Sequence, residues 1–383
     1  MSKKKKILVI TGSRGEWGYI RPLLRLCEQS NDFEYSLCVT NMHLLPAFGL
    51  SVDEIVRDGF TVDHQIYMSL DGYNHLTMVK SLGLFLMSLA DIIASNPPDW
   101  ILLAGDRGEQ LMGAIAGGFC YIPVAHIQAG ELSGNIDGMT RHAIGKYAHL
   151  HLASNQDAAD RLIKLGEEPF RVHNVGAPQV DEMVKGVVTD LSELEAKFEM
   201  NLQGDYLLVV QHPVTEEFEQ AEEQIHTTMD ALREFDLPKV VILPNNDAGS
   251  VMIRDGINRH RHGEFYAFAN LQRQDYLSFM KYATAMIGNS SSGLLEAPSF
   301  KVPAVNLGRR QHRRVQGMNV INAPFEKPKI VNALNKALSP EFRKELNECC
   351  VNPYGDGKSS QRIIELLRNT PVTDQFLIKQ LTY

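Results

Sequence analysis

The stretch KILVITGSRGEWGYIRPLLRLC, residues 6–27, runs from an apolar strand pattern through a glycine-rich turn into a helix pattern. Ile20, Leu23, Leu24 and Cys27 follow the i, i+3, i+4, i+7 spacing of one helix face. A strand that leads straight into a helix is half of a parallel-strand unit. The same alternation recurs in YSLCVT, WILLAGD, PVAHIQA, HLHLAS and RVHNVG, which predicts an α/β fold of parallel strands joined by helical crossovers.

Strand signals stop between about residues 178 and 204, where the charged run DLSELEAKFEMNLQGD intervenes. A second series then begins: YLLVVQHP, VVILPNND, FYAFAN, ATAMIGNSS and VPAVNLG. The two halves share no detectable repeat, and together they predict two Rossmann-like, doubly wound domains, residues 1–185 and 186–383, facing across a cleft. Small polar or charged residues end several strands in each half, where open parallel sheets bind ligands.

A chain of 383 residues with 44% hydrophobic and 22% charged residues is long enough for two cores. Its net charge of −8 argues against a general nucleic-acid binder. The longest apolar run, SLGLFLMSLADIIAS from Ser81, meets Asp91 before the roughly 18 apolar residues a membrane span needs, so it reads as a buried helix and no membrane partner is expected. Four lysines at 3–6 precede only ILVIT, too short for a signal peptide. Five cysteines lack CxxC spacing and are odd in number, which indicates neither a zinc site nor a disulfide framework and fits a reducing cytoplasm. His149 with His151, and His260 with His262, each lack a third nearby ligand, so no metal site is read.

Residues 105–142, GDRGEQLMGAIAGGFCYIPVAHIQAGELSGNIDGMTRH, gather Asp106, Glu109, Glu131 and Asp137 with Arg107, Arg141, His126 and His142 around the apolar YIPVAHI. A solvated face would not contain such a strand, so the segment reads as a site. In TGSRGEWG, Gly12, Gly15 and Gly18 would let backbone amides approach an anion at a helix start, with Arg14 able to pair with a phosphate. IGNSSSGLLEAPSF ends a strand in Asn289, Ser290, Ser291, Ser292 and Gly293. Hydroxyls and amides there suit a diphosphate, and Glu296 suits a ribose diol; the plain alternative is a serine N-cap. GRRQHRR places Arg309, Arg310, Arg313 and Arg314 together, as a positive patch or a solvated loop. His212 of QHPVT stands at a strand end, and the neighbouring LPNND ends in amides and Asp247.

The motifs TGSRGEWG, NMH, GDR, HIQAGELSGNID, RH, QHPVT, PNND, GNSSSGLLEAP and GRRQ occur in the order seen in hydrolysing UDP-N-acetylglucosamine 2-epimerases, and over most of residues 7–320 the chain resembles that family of sialic-acid and related nonulosonate pathways. The resemblance implies the two-domain fold of GT-B glycosyltransferases, a homodimer, no cofactor, and conversion of UDP-GlcNAc to ManNAc and UDP. By position, Arg14, Ser290, Ser291, Glu296 and Arg310 resemble the UDP-binding residues, with Ser292, Gly293, Arg107 and Asn246 in the same substrate-binding set. Asp106, Asp137, Glu131, Arg141 and His212 resemble the catalytic set, and His43 is expected on the sugar side. The terminal SSQRIIELLR is expected to pack back on the first domain.

The family chemistry eliminates UDP across C1 and C2 and then hydrates the glycal. Carboxylates would stabilise the cationic sugar, while Arg14 and the serines would hold the leaving diphosphate. One position departs from the family: where many members read HIEGGE, this chain has Gln128, and an amide cannot serve as a base. Asp137 or Asp106 is then expected to take the C2 proton, with Gln128 contacting the sugar or its acetamido group. The same change leaves open a UDP-2,4-diacetamido-trideoxy sugar, for which Trp17 and Gly15 would suit a more apolar pocket. A GT-B glycosyltransferase, a non-hydrolysing 2-epimerase and a UDP-sugar-binding regulator are the rival readings; GELSG and QHPVT favour hydrolysis.

Overall fold

The computed structural model describes residues 4–71, 75–133, 136–185, 188–202, 204–244, 249–380 and 382. The first seven strands are β1 (Lys5–Thr11), β2 (Phe33–Thr40), β3 (His64–Ile66), β4 (Trp100–Ala104), β5 (Val124–Ile127), β6 (Leu150–Ala153) and β7 (Val172–Asn174). They form one parallel sheet in the order β3-β2-β1-β4-β5-β6-β7. The next six are β8 (Leu207–Val210), β9 (Lys239–Ile242), β10 (Phe265–Phe268), β11 (Ala285–Gly288), β12 (Ala304–Leu307) and β13 (Val320–Ala323). They form a second parallel sheet in the order β10-β9-β8-β11-β12-β13.

Both sheets are doubly wound and Rossmann-like. The strand order reverses between β1 and β4 in one and between β8 and β11 in the other, so each sheet has a topological switch point where ligands bind beyond the strand ends. The strands read as unbroken apolar runs because helices cover both faces. In β1, Ile7 and Val9 enter one core cluster while Leu8 and Ile10 enter another. In β8, Leu207 and Val209 divide from Leu208 and Val210 in the same way. That is the period-two alternation of a strand buried on both sides.

The first compact unit comprises Met1–Leu132, Ile136–Glu182 and Tyr354–Tyr383; the second is built mainly from Met183–Pro353. The 186–383 span expected for the second domain therefore ends at Pro353 in the structure. The reason is local: the Asp181 carboxylate accepts the Ser359 and Ser360 amides at 2.9 and 2.7 Å, capping the helix Ser359–Asn369. Ile363, Ile364 and Leu367 of that helix then join the core beneath the helix Arg14–Glu28.

Two sequence expectations change. The helix His75–Ser95 is not buried. Ser81, Phe85, Leu89 and Ile93 face the sheet, but Leu76, Val79 and Met87 stand 76%, 68% and 72% exposed, and by length and composition the helix could cross a membrane. Trp17, expected to suit an apolar sugar pocket, is in the interior. It is buried in the core, edge-on to Phe60 at 4.9 Å.

Candidate active site

In the first unit, Gly105 turns the chain at φ +87° after β4 and presents Asp106 beyond the strand end. The Asp106 carboxylate pairs with Nη2 of Arg141, which comes from the helix Asp137–Tyr147 and is only 2% exposed. The other arm of Arg141 donates to the Gln128 carbonyl at 2.8 Å, and thereby fixes the segment after β5 against the segment after β4. Gln128 sits at φ +62°, a left-handed conformation costly for a non-glycine residue. Its side chain is buried, and its Nε2 makes no hydrogen bond among the described residues.

Around this pair, His126 Nε2 lies 2.6 Å from the Gly105 carbonyl, and burial lowers the imidazole pKa to about 3, so it is a neutral donor. Glu131 is buried and accepts from Asn155 Nδ2, while Asn155 Oδ1 caps the helix Gln156–Lys164 through Ala158 N at 2.9 Å. Asp137 opens its helix, where the dipole favours a carboxylate. Arg107 lies 3.5 Å from Glu109, which also accepts from Asn41 at 3.1 Å.

The turn after β1 differs from its sequence reading. Ser13 and Glu16 form a capping box, and the Glu16 carboxylate takes the Gly12 and Ser13 amides at 2.6 and 3.2 Å. Those two amides are spent internally and cannot cradle an anion; Arg14 stands half-buried at the helix start. A Cβ at Gly12 would come 2.0 Å from Glu109 Oε1 and displace that carboxylate, whereas at Gly15 the nearest atom, Ser13 Oγ, is at an ordinary 3.9 Å. Burial and the neighbouring Glu109 raise the Glu16 pKa well above the carboxylate range. His43 also departs from expectation. It is fully buried, with Thr11 at 3.0 Å on Nε2 and Ser51 at 2.7 Å on Nδ1, and burial lowers its pKa to about 3. Both ring nitrogens are engaged, so His43 braces the turn.

In the second unit, Asn289 follows β11 and clamps the chain after β8: its Oδ1 accepts the His212 amide at 2.7 Å and its Nδ2 donates to the His212 carbonyl at 2.8 Å. The Asn289 carbonyl accepts from Gln311 at 2.9 Å and Arg310 at 3.3 Å. Ser290 and Ser292 share a hydroxyl contact at 2.9 Å, and Tyr276 meets the Ser292 hydroxyl. Ser291 occupies the N-cap position of Ser292–Leu295 without a side-chain cap bond, and the Ser290 hydroxyl accepts the Ser292 amide at 3.3 Å. Gly293 lets that short helix approach β12, where its Cβ would lie 3.3 Å from that of Ala304. Arg273 binds Glu296 Oε1 at 2.9 Å, and Glu296 Oε2 is buried without a hydrogen bond among the described residues, an acceptor suited to a diol. Of the arginine run, Arg309 pairs with Glu217, Arg314 reaches Gln311, Arg313 is exposed, and Arg310 lies beside the serine loop. Asn246 and Asp247 lie outside the described residues.

Sequence reasoning missed Asn155, Arg273 and Tyr276. Glu16 was readable from the Ser13-x-x-Glu16 spacing, but the glycines drew the reading toward an anion site. Among the described residues no group of three metal-ligating side chains forms. His149 accepts the Val124 amide and reaches the Leu377 carbonyl, and His151 pairs with Glu167 at 3.0 Å.

Two Rossmann-like units, one ending its switch-point strands in acids and arginine and the other in serines and amides, define an enzyme of the GT-B fold. More particularly, the chain belongs to the UDP-N-acetylglucosamine 2-epimerase family, whose sequence model matches residues 25–368. It is 34% identical over 377 residues to a UDP-N,N'-diacetylbacillosamine 2-epimerase (hydrolyzing) of Legionella pneumophila, covering 98% of each chain. It is 32% identical over 365 residues to a UDP-N-acetylglucosamine 2-epimerase of Neisseria meningitidis serogroup B, covering 95% of each. In fold it is similar to the UDP-GlcNAc 2-epimerase of Methanocaldococcus jannaschii in complex with UDP-GlcNAc and UDP, with a TM-score of 0.80, 19% identity, and 94% of this chain and 99% of that one covered.

Proposed function

We propose that this protein is a hydrolysing 2-epimerase that converts UDP-GlcNAc and water to ManNAc and UDP. The observation that carries the reading is the Asp106–Arg141–Gln128 arrangement at a switch point of the first sheet. The Arg141 guanidinium orients the Asp106 carboxylate, which suits it to balance positive charge on the C1–O5 unit. Asp137 then takes the C2 proton as the C1–O bond to UDP breaks, giving a glycal. Water adds its hydroxyl at C1, and a proton returns to C2 from the opposite face. The free Gln128 Nε2 donates to the acetamido carbonyl, in keeping with its buried, unpartnered state. The diphosphate is held by Arg14, Arg310, Ser290 and Ser292, Glu296 receives the ribose, and His212 donates to the departing phosphate. Arg107 and Glu131 complete the sugar side. The family resemblance supports a homodimer, and five free cysteines support a cytoplasmic setting.

A second reading, hydrolysis of UDP-N,N'-diacetylbacillosamine, is supported by the relative that aligns over 98% of the chain. The test is incubation with each UDP-sugar in deuterated water. UDP release with a free, C2-deuterated 2-epimer supports the reading, and the larger kcat/KM selects the sugar. Asp106→Asn should lower kcat by roughly 10²-fold or more while UDP affinity stays. An intact epimerised UDP-sugar as product would overturn hydrolysis.

A further inference from the structure

The helix Asp137–Tyr147 carries two of the residues assigned to the chemistry, Asp137 at its start and Arg141 one turn in, yet apolar packing holds it only lightly. Its buried residues are Gly138, Arg141, Ile144 and Gly145, so Ile144 is the one large apolar side chain it buries fully, while Met139 stands 68% exposed. At its start the N-cap residue, Ile136, supplies no side-chain bond.

The grip is at the other end. The chain passes from Ala148 through His149 into β6, and the His149 amide goes to the Val124 carbonyl at 2.8 Å instead of to Gly145, one turn back. The carbonyls of Gly145 and Lys146 are therefore among those a helix end leaves over. Lys379 Nζ donates to both, at 2.7 and 3.2 Å, from 234 and 233 positions away. A cation there also meets the negative end of the helix dipole. The side chain is 15% exposed, and Glu167 faces it at 2.6 Å while accepting from Lys146 at 2.8 Å and His151 at 3.0 Å. The segment that brings Lys379 in is fastened elsewhere: Arg171 donates to the Phe376 and Gln375 carbonyls, and the Thr373 hydroxyl accepts the Phe376 amide at 3.2 Å. Lys379 is not needed to hold that segment, and its charge acts on the helix.

We propose that Lys379 is a positioning residue for the reaction: its ammonium fixes the helix end, and through the helix it places Asp137 and the Arg141 guanidinium that holds Asp106 and the Gln128 carbonyl. This rests on the 2-epimerase reading of the site. A neutral amine has two N–H groups for three acceptors, so the full grip requires the charged form. Burial lowers the Lys379 pKa to about 8, with Glu167 opposing and Arg171 and Lys146 adding to the effect; His149 and His151, which also face it, are lowered to about 4 and are neutral there. The grip is complete below about pH 8 and is lost as pH rises through that value.

The test is Lys379→Met in the full chain. kcat for UDP release should fall about tenfold or more with KM little changed, since a shift of about 1 Å at the reacting groups is enough for such a loss. Wild-type kcat should decline above about pH 8, and the variant should lack that limb. Hydrogen exchange at pH 7 should rise over residues 137–147, while proteolytic cleavage near Thr373 and indole emission stay as in wild type, which shows that the variant folds and the segment remains docked. Unchanged exchange over 137–147, an alkaline limb that persists in the variant, or a loss confined to KM would overturn the proposal. A wild type that releases no UDP, with exchange still raised by the substitution, would refute the 2-epimerase reading and leave the anchoring of the helix standing.

Discussion

Asn289 holds His212 by both ends of its peptide, accepting from its amide and donating to its carbonyl. The two residues follow β11 and β8, adjacent strands at the second switch point, so one buried amide sets the register of a strand end that carries a candidate catalytic group. Asn289→Asp keeps the acceptor but sets a second acceptor against the His212 carbonyl. It should cost about 1–3 kcal/mol in urea unfolding and lower kcat more than it raises KM, because binding groups remain while His212 is misplaced. A rise in KM alone would contradict this role.

Glu16 is ionised at a cost. Its raised pKa means that below about pH 4.5 the folded and unfolded carboxyls are both protonated. As pH rises further the unfolded chain ionises first, and stability falls by about 1.4 kcal/mol per pH unit until the folded carboxyl follows. Glu16→Gln retains an oxygen for the Gly12 and Ser13 amides and removes this slope. The variant should gain on wild type in unfolding free energy between pH 5 and 7. A constant difference across that range would show that Glu16 does not hold a proton.

The alternation of strands and helices was legible because parallel strands buried on both faces are continuous apolar runs, as in KILVIT and YLLVV. β3 and β13 were not: His64–Ile66 has three residues, and Val320–Ala323 is only partly buried and contains Asn322. The helix His75–Ser95 misled because Leu and Met occupy its outer as well as its inner side, so composition alone suggests complete burial. At the site, residue identities near strand ends were readable, but their pairings were not. Arg141 reaches Asp106 across 35 positions and Asn289 reaches His212 across 77, distances over which one sequence carries no contact signal. Nor does Gln128 announce its left-handed backbone, which is usually a glycine position.

Arg171 ties the terminal segment to the first unit. Fully buried, it donates to the Phe376 carbonyl at 2.6 Å, the Gln375 carbonyl at 3.2 Å and the His149 carbonyl at 3.3 Å, and lies over the Phe376 ring. Phe376 in turn packs edge-on against Trp100 at 5.8 Å. Arg171→Met leaves those carbonyls unpaired and should destabilise the first unit by about 2–4 kcal/mol. Limited proteolysis should then cut near Thr373 before the rest of the chain. Unchanged cleavage would show that Phe376 alone suffices to hold the segment.

Acid should unfold the first unit before the second. His43 and His126 are lowered to about 3, and His149 and His151 to about 4, all chiefly by burial, and all four lie in the first unit. An unfolded histidine takes a proton near pH 6.5, so between pH 6.5 and 4 each one draws the chain toward the unfolded state by about 1.4 kcal/mol per pH unit. Four such groups outweigh the opposite slope of the single Glu16. Both tryptophans of the chain, Trp17 and Trp100, are buried in the same unit, so indole emission reports that unit alone. The emission should shift to the red between about pH 4 and 5 while part of the far-UV circular dichroism survives from the second unit. His151→Gln removes one of the four protons and should make the indole transition shallower. Coincident fluorescence and dichroism transitions would mean that the two units unfold as one.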